Sequence, residues 1–313
     1  MHILVTGGLG FIGSHFVDRL LEGGHRVTVV DNLLLGRREH VAHHQGRNGF
    51  AFEEMDVADQ RALNALFARA DFGAVVHLAA NSDIARSHAD PATDFDNTLR
   101  TTWSVLEAMR LHAVSQLVFA STSAVYGEAQ GAIAEDHGPL MPISHYGAAK
   151  LASEAFISSY GQNYGIQSWI PRFPNVVGER LTHGAIFDFA AKLRRTPDRL
   201  EVLGNGEQIK PYLHVADLID AVMLAWSRFD GQTNVFNVGG TTRCSVRRMA
   251  EIVLEESGLD ADIAFTGGDR GWIGDVPAVD YNTDKIRSLG WEPKMDSEQA
   301  IRAAARWAFG ASS

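Results

Sequence analysis

Glycines 7, 10 and 13 fall between an apolar run, Ile3–Val5, and a stretch with helical spacing, Gly13–Glu22, in the segment V-T-G-G-L-G-F-I-G. A G-x-x-G-x-x-G spacing that closes a strand and opens a helix lets the backbone approach a ligand closely. It also aims N–H groups and a helix N-terminus at that ligand, and a dinucleotide pyrophosphate is the anion that fits. A tight turn alone would also account for three glycines. Asp31 favours the ligand: it stands eighteen residues past Gly13, after the apolar run Arg26–Val30, where a carboxylate can bind adenosine ribose hydroxyls. An acid there repels a 2′-phosphate, so NAD is expected rather than NADP, with Arg37 and Arg38 as a solvated charge pair. Asp56 and Val57 follow the run Phe50–Met55, where a carboxylate can meet the adenine amino group or cap the next helix. The sequence leaves both readings of Asp56 open.

Further apolar runs at Ala74–Leu78, Gln116–Ala120 and Gln167–Arg172 alternate with amphipathic stretches at Gln60–Ala68 and Thr98–Leu111. Strand–helix alternation of this kind predicts a parallel sheet covered by helices on both faces. After residue 173 the rhythm changes to helical patterns at 184–195, 215–229, 246–257 and 297–309, with short strand-like pieces at Glu201–Leu203 and Asn234–Asn237. The expected division is a dinucleotide domain over 1–173 and a smaller lobe over 174–313, with returns of the later chain to the sheet. A length of 313 residues suits about two domains of roughly 150 residues. A net charge of -10 argues against a nucleic-acid binder. One cysteine, Cys244, forms no internal disulfide and reads as a structural thiol. With no basic, apolar leader and no window of ~20 apolar residues, a cytoplasmic protein without a membrane span is expected.

The stretch S-H-Y-G-A-A-K places Tyr146 and Lys150 four apart, on one face of a helix. A phenol with its ordinary pKa of about 10 is a poor base at neutral pH. A nearby ammonium, together with the positive charge of an oxidised nicotinamide, would stabilise the phenolate. Chance pairs of this spacing are common. The upstream V-F-A-S-T-S-A-V-Y-G changes the reading, because Ser121, Thr122 and Ser123 end the fifth run at the sheet edge where doubly wound folds bind ligands.

These segments, with D-N at 31–32, H-L-A-A at 77–80, R-F-P-N-V-V-G at 172–178, Y-L-H-V-A-D at 212–217, F-N-V-G at 236–239 and G-D-V at 274–276, resemble the extended short-chain dehydrogenase/reductase family. Within it the chain is most similar to nucleotide-sugar epimerases of the UDP-galactose 4-epimerase type. The resemblance implies a Rossmann-type doubly wound parallel sheet with a smaller C-terminal α/β substrate lobe. It implies Tyr146 as base at the sugar 4-hydroxyl, Lys150 on the nicotinamide ribose, and Thr122 on the 4-oxygen. Cofactor contacts would come from Gly7, Gly10, Phe11, Ile12, Gly13, Asp31, Asn32, Asp56, Val57, Leu78, Ala79, Ala80, Asn97, Ser121 and Phe173, together with Tyr146 and Lys150. Substrate contacts would come from Ser123, Asn175, Lys210, Tyr212, Arg270 and Asp275. NAD⁺ would accept the C4 hydride and return it to the other face of a transient 4-keto sugar.

The 4,6-dehydratases of the family carry an Asp-Glu pair after the Thr; here Ser123 and Ala124 stand there, and neither moves a proton usefully. Three departures bear on the substrate. Lys210-Pro211 replaces the usual Arg-Asp, keeping charge but losing the bidentate fork. Trp272 occupies the second phosphate-Arg position, with Arg270 nearest. Val279 stands where some members carry a bulky Tyr that blocks N-acetylated sugars, which leaves room for them. The expected function is NAD-dependent 4-epimerisation of UDP-glucose/UDP-galactose, the N-acetylated forms included. The alternatives are a related dehydratase, 4-keto reductase or uronic-acid epimerase, and a non-catalytic dinucleotide-binding regulator. Helical patterns at 98–111 and 147–160 resemble those that pack across a two-fold axis in the family, so a homodimer is expected. His40, His43 and His44 read as a solvated loop rather than a metal site, because no carboxylate stands at ligand spacing in sequence.

Overall fold

The computed structural model describes residues 1–82, 87, 89–129, 131–268 and 280–310. The expected runs become strands within a residue or two: β1 (His2–Thr6), β2 (Arg26–Asp31), β3 (Phe50–Glu54), β4 (Ala74–His77), β5 (Gln116–Phe119) and β6 (Gln167–Phe173). Between them lie α1 (Phe11–Glu22), α2 (Gln60–Arg69), α3 (Thr101–Leu111) and α4 (His145–Tyr164). A further strand, β7 (Thr233–Asn237), completes the order β7-β6-β5-β4-β1-β2-β3, with Ser121–Thr122 pairing β6. Every registered pair from β3 across to β6 is parallel. Strands covered on both faces need continuous rather than alternating apolar residues. That is how Ile3, Leu4 and Val5 read, each fully buried.

The sheet builds outward from β1 in both directions, to β2 and β3 on one side and to β4, β5 and β6 on the other. The direction of winding reverses between β1 and β4, and the loops after these two strands form the crevice expected of a doubly wound sheet. One core cluster joins Leu4, Leu63, Val75, Leu106, Met109, Leu117, Ile157 and Ile170 from strands and helices alike. The region expected as one helix over Thr98–Leu111 starts differently: Phe95–Arg100 is π-helical and passes directly into α3.

The chain divides into two compact units. The first holds residues 1–127, 137–172 and 222–236; the second holds 128–136, 173–221 and 237–313. Asn234–Asn237, expected as a strand of the smaller lobe, lies within β7 of the large sheet. There Gln232 accepts from Ser168 N at 2.9 Å, and Asn234 Nδ2 donates to the Ser168 carbonyl at 3.0 Å. The second unit contains short strand pairs, Arg199–Val202 with Asp262–Phe265 and Asn175–Val177 with Tyr212–His214, both parallel. The helices Ala185–Arg195, Val246–Ser257 and Ser297–Gly310 pack on one another there. Cys244 is buried, and burial pushes its thiol up to about 12, which makes it a poor nucleophile. Among the described residues no helix is long and apolar enough to cross a membrane.

The glycine loop depends on close backbone packing. Gly7 has φ +69, and a Cβ on Gly13 would lie 2.1 Å from the Gly7 carbonyl and 2.8 Å from Gly8 Cα. Both neighbours are backbone atoms that cannot rotate away. Gly13→Ala is therefore expected to lower unfolding free energy by about 3 kcal/mol or to prevent folding. A urea denaturation midpoint equal to that of the wild type would contradict this.

Candidate active site

The first turn of α1 opens on Gly10, which no side chain caps among the described residues, and no acidic residue lies in that turn. The first helical N–H groups have no partner one turn back within the helix. They are free to meet an anion whose charge the helix terminus favours. Gly10 and Ile12 are partly exposed while Phe11 and Gly13 are buried, so the loop presents alternate residues outward. At the end of β2, Asp31 is buried and accepts from Leu9 N at 3.0 Å and Leu33 N at 2.9 Å. Burial pushes its carboxyl up, and the two N–H groups and His40 pull it back. A carboxylate has about four acceptor positions, so two remain for diol hydroxyls. An anion cradle with a fixed acceptor at the next strand end fits a dinucleotide.

The other expected cofactor residues have mixed positions. Leu78, Ala79 and Ala80 are half-buried past the end of β4, and Ala79 N donates to Thr6 Oγ1 at 3.3 Å. Asn32 is exposed and its Oδ1 accepts from Leu34 N. Asp56 is exposed and closes a local turn on Ala58 N at 2.8 Å, while the cap of α2 is Asp59, which bonds Arg61 N and Ala62 N. Val57 is core. Asn97 is partly exposed, and its amide donates to the Thr93 carbonyl of its own helix at 2.9 Å. The next residue, Thr98, is the one turned inward, fully buried and accepting from Asn81 N at 3.1 Å.

Tyr146 and Lys150 lie one turn apart on α4, which starts on the Ser144 cap. Their neighbour Gly147 allows close approach, since a Cβ there would sit 2.7 Å from the Ala124 carbonyl. That approach brings α4 against the 123–126 turn and lets the Thr122 hydroxyl hydrogen-bond the Tyr146 phenol. Burial pushes the phenol up to about 12, the Thr122 bond pulls it down and Asp94 raises it. Lys150 is 3% exposed, and its Nζ donates to the Ala120 carbonyl at 2.7 Å and lies 4.7 Å from the Phe119 ring centroid. Burial pushes the ammonium down to about 7, against the raising effects of Asp94 and Glu154. Asp94 is itself buried, held by Asn81 Nδ2 at 2.9 Å.

Behind the pair lies a buried network that sequence reading missed. Glu154 and Arg172 form an ion pair with side chains 7% and 5% exposed, through Nη2 to Oε2 at 2.6 Å and Nε to Oε1 at 3.0 Å. Arg172 Nη1 also donates to Tyr126 Oη at 3.1 Å, and Ser121 donates its hydroxyl proton to Glu154 Oε1. Ser121 is fully buried, and its hydroxyl proton is committed to Glu154. His77 is equally enclosed, between Thr6 Oγ1 at 2.6 Å from Nδ1 and Thr102 Oγ1 at 3.2 Å from Nε2. Because Thr6 accepts from Ala79 N and Thr102 donates to the Thr98 carbonyl, the proton is assigned to Nε2. Burial and Lys150 push this imidazole down to about 3, so it is neutral.

Ser123 is half-buried in the turn after Thr122. In the second unit, Asn175 is exposed and directly opposite buried Tyr212 in the parallel pair. Tyr212 N donates to Ser297 Oγ at 3.1 Å, Lys210 pairs in register with Cys244, and Phe173 is partly exposed. Arg270, Trp272, Asp275 and Val279 lie outside the described residues. The histidine run is not a solvated loop. Residues Arg38–His44 form a 3₁₀ turn in which His40 and His44 are buried.

Residues 3–239 match the model of the NAD dependent epimerase/dehydratase family. The chain belongs to this family. It is therefore an NAD-dependent enzyme of the epimerase/dehydratase class. A UDP-glucose 4-epimerase of Halalkalibacterium halodurans is 32% identical over 98% of this chain and 95% of its own. The structure of a Thermus thermophilus UDP-glucose 4-epimerase in complex with NAD matches with TM-score 0.88 at 33% identity, over 99% of this chain and 100% of that one. Thermotoga maritima UDP-glucose 4-epimerase with UDP-glucose matches with TM-score 0.87 at 30% identity, over 98% of each chain.

Two stability measurements test this geometry. Between pH 7 and 10.5 the folded chain binds fewer protons at Lys150 than the unfolded chain does, so stability should rise with pH across that window. Lys150→Met should remove the rise, being more stable relative to wild type near pH 7 than near pH 10 by roughly a few kcal/mol. Parallel pH trends of the two urea midpoints would contradict it. Arg172→Met leaves Glu154 buried without its partner and should cost about 3–5 kcal/mol, much of it recovered in the Arg172→Met/Glu154→Met double variant. Simple additivity of the two single costs would show that the pair is not coupled.

Proposed function

We propose that this chain is a 4-epimerase of UDP-hexoses, working through a transient 4-keto sugar. The observation that carries the reading is the Thr122–Tyr146 hydrogen bond beside buried Lys150, followed by Ser123 and Ala124. When bound, NAD supplies a hydride acceptor at the sugar C4 and, in oxidised form, a positive charge near the pair. Tyr146 takes the proton of the 4-hydroxyl and returns it after the sugar has turned over. Thr122, already bonded to the phenol, holds the 4-oxygen within reach of it. Lys150 Nζ lies 6.0 Å from the Tyr146 ring centroid and is anchored on the Ala120 carbonyl, and in its charged form it would favour the phenolate. Without an acid at Ser123 or Ala124, no group in those two positions eliminates water across C5 and C6. The Gly7–Gly13 loop, Asp31 and residues 78–80 would hold the dinucleotide. Asn175, Lys210 and Tyr212, with Arg270 and Asp275, would hold the nucleotide diphosphate.

UDP-glucose and UDP-galactose are the substrates expected first. Val279 extends the reading to the N-acetylated sugars. Proton NMR of the purified protein in D₂O with UDP-glucose or UDP-N-acetylglucosamine, with no cofactor added, tests it. The expected result is a 4-epimer mixture free of solvent deuterium, with turnover reduced on the order of 10²–10⁴-fold in Tyr146→Phe. A 6-deoxy-4-keto product deuterated at C5 would mean a dehydratase. Unchanged turnover in Tyr146→Phe would remove the phenol from the chemistry.

The reading includes a cytoplasmic homodimer. Phe95, Trp103 and Leu111 on the 95–111 segment, and Phe156 and Tyr164 on α4, are large apolar or aromatic residues exposed on the two helical segments expected at the two-fold interface. Light scattering should give twice the chain mass for wild type and a monomer for Trp103→Glu/Phe156→Asp. A monomeric wild type at micromolar concentration would overturn the dimer.

A further inference from the structure

The histidine run has a use that the dinucleotide site does not absorb. Its two adjacent histidines meet a carboxylate from twenty-five residues upstream. Asp18 Oδ1, on the third turn of α1, lies 2.9 Å from His43 Nε2 and 2.6 Å from His44 Nε2. One donor atom from each of the three residues lies within 4.8 Å of the other two. We propose that Asp18, His43 and His44 form a divalent transition-metal site, with zinc as the ion whose ligand preferences the set matches best. It is structural, and it is separate from the dinucleotide site.

The donor set is two imidazoles and one carboxylate, the ligand types that zinc takes at distances of about 2.0–2.2 Å. A tetrahedral ion with such bonds needs donor–donor edges of about 3.4 Å. The two short edges to Asp18 are now bridged by Nε2 protons. They must open by about 0.5 Å at His43 and about 0.8 Å at His44, within reach of small side-chain rotations. Coordination moves those protons: the ion takes the Nε2 lone pair, and the remaining ring proton sits on Nδ1. The Asp18 carboxylate faces both imidazoles and offers a negative charge to a cation placed between them. His43 is half-exposed, its side chain 49% accessible, so the ion has an entry path and the fourth position can hold water.

The three side chains are presented by anchored elements. His44 is buried, 4.0 Å from the His43 ring and 5.7 Å from the Phe50 ring. Within the same turn, Val41 is buried and His40 Nδ1 bonds the Leu9 carbonyl at 2.9 Å. A site already shaped in this way needs little ordering to bind. An ion there would tie the 38–44 turn to α1, next to the loop segment that His40 holds.

The full-length protein as purified, freed of added metal by dialysis against chelator and then returned to chelator-free buffer, should be titrated calorimetrically with zinc chloride. Cobalt(II) absorption should be recorded in parallel as a report of coordination geometry. One zinc per chain is expected, with cobalt bands of tetrahedral intensity. Asp18→Asn and His43→Gln should each weaken zinc binding roughly tenfold or more. The first is isosteric and the second changes a half-exposed residue, so both should fold. His112→Gln, a histidine outside the cluster, should bind as wild type does. Saturating zinc should raise the thermal midpoint of wild type and leave that of His43→Gln unchanged. Absence of zinc binding to wild type at tens of micromolar, or equal binding by wild type and both cluster variants, would overturn the site. Because no sugar nucleotide enters the measurement, its result is independent of the epimerase reading.

Discussion

The Glu154 carboxylate organises the centre of the first unit. It accepts from Arg172 on β6 and from Ser121 in the turn after β5, while Arg172 reaches on to Tyr126. Three elements are thereby locked together through one pair of oxygens. Glu154 stands one helical turn beyond Lys150, which stands one turn beyond Tyr146. The anchor thus fixes the rotation of α4 about its axis, and with it the direction of the two side chains on which the chemistry depends. Isolated charges at this depth would be costly, and the tolerance for them comes from the completeness of the bonding.

Charge in this region is set by surroundings more than by residue type. Lys150 loses part of its hold on the proton through burial, and Tyr146 holds its proton more firmly for the same reason. In the ligand-free chain the phenol therefore stays protonated at neutral pH. Asp94 raises both groups, while Thr122 lowers Tyr146 alone. His77, on β4 and pressed between two threonines, contributes no charge and serves as a spacer that orders two hydroxyl groups, one on β1 and one on α3.

Much of this was legible in the sequence. Continuous apolar runs gave the parallel strands, because residues covered on both faces cannot alternate. The spacing of Gly7, Gly10 and Gly13 gave the first loop, and Tyr146 with Lys150 gave a shared helix face. What the sequence did not disclose involves partners distant in the chain or a change of helical phase. Glu154 and Arg172 look like surface charges until the fold buries them together. Asp18 has no sequence relation to His43 and His44. The π-helical turn over Phe95–Arg100 carries an extra residue per hydrogen-bonded ring, a change of phase that the apolar spacing did not announce. That rotates the inward face onto Thr98. Thr233–Asn237 gave a strand signal, but nothing local said which sheet would take it.

The placement of that last strand bears on how the chain is made. The segment after Val222 rejoins the first unit, whose earlier parts end at Arg172, and 128–136 leaves it for the second. During synthesis β6 therefore emerges as an open sheet edge and stays so until some sixty further residues have been added. Exposed edges of this kind recruit other strands. A nascent chain of this protein is thus most open to faulty pairing in the interval between Phe173 and Thr233. A ribosome that stalls there would release a sheet that the chain itself has no means to close.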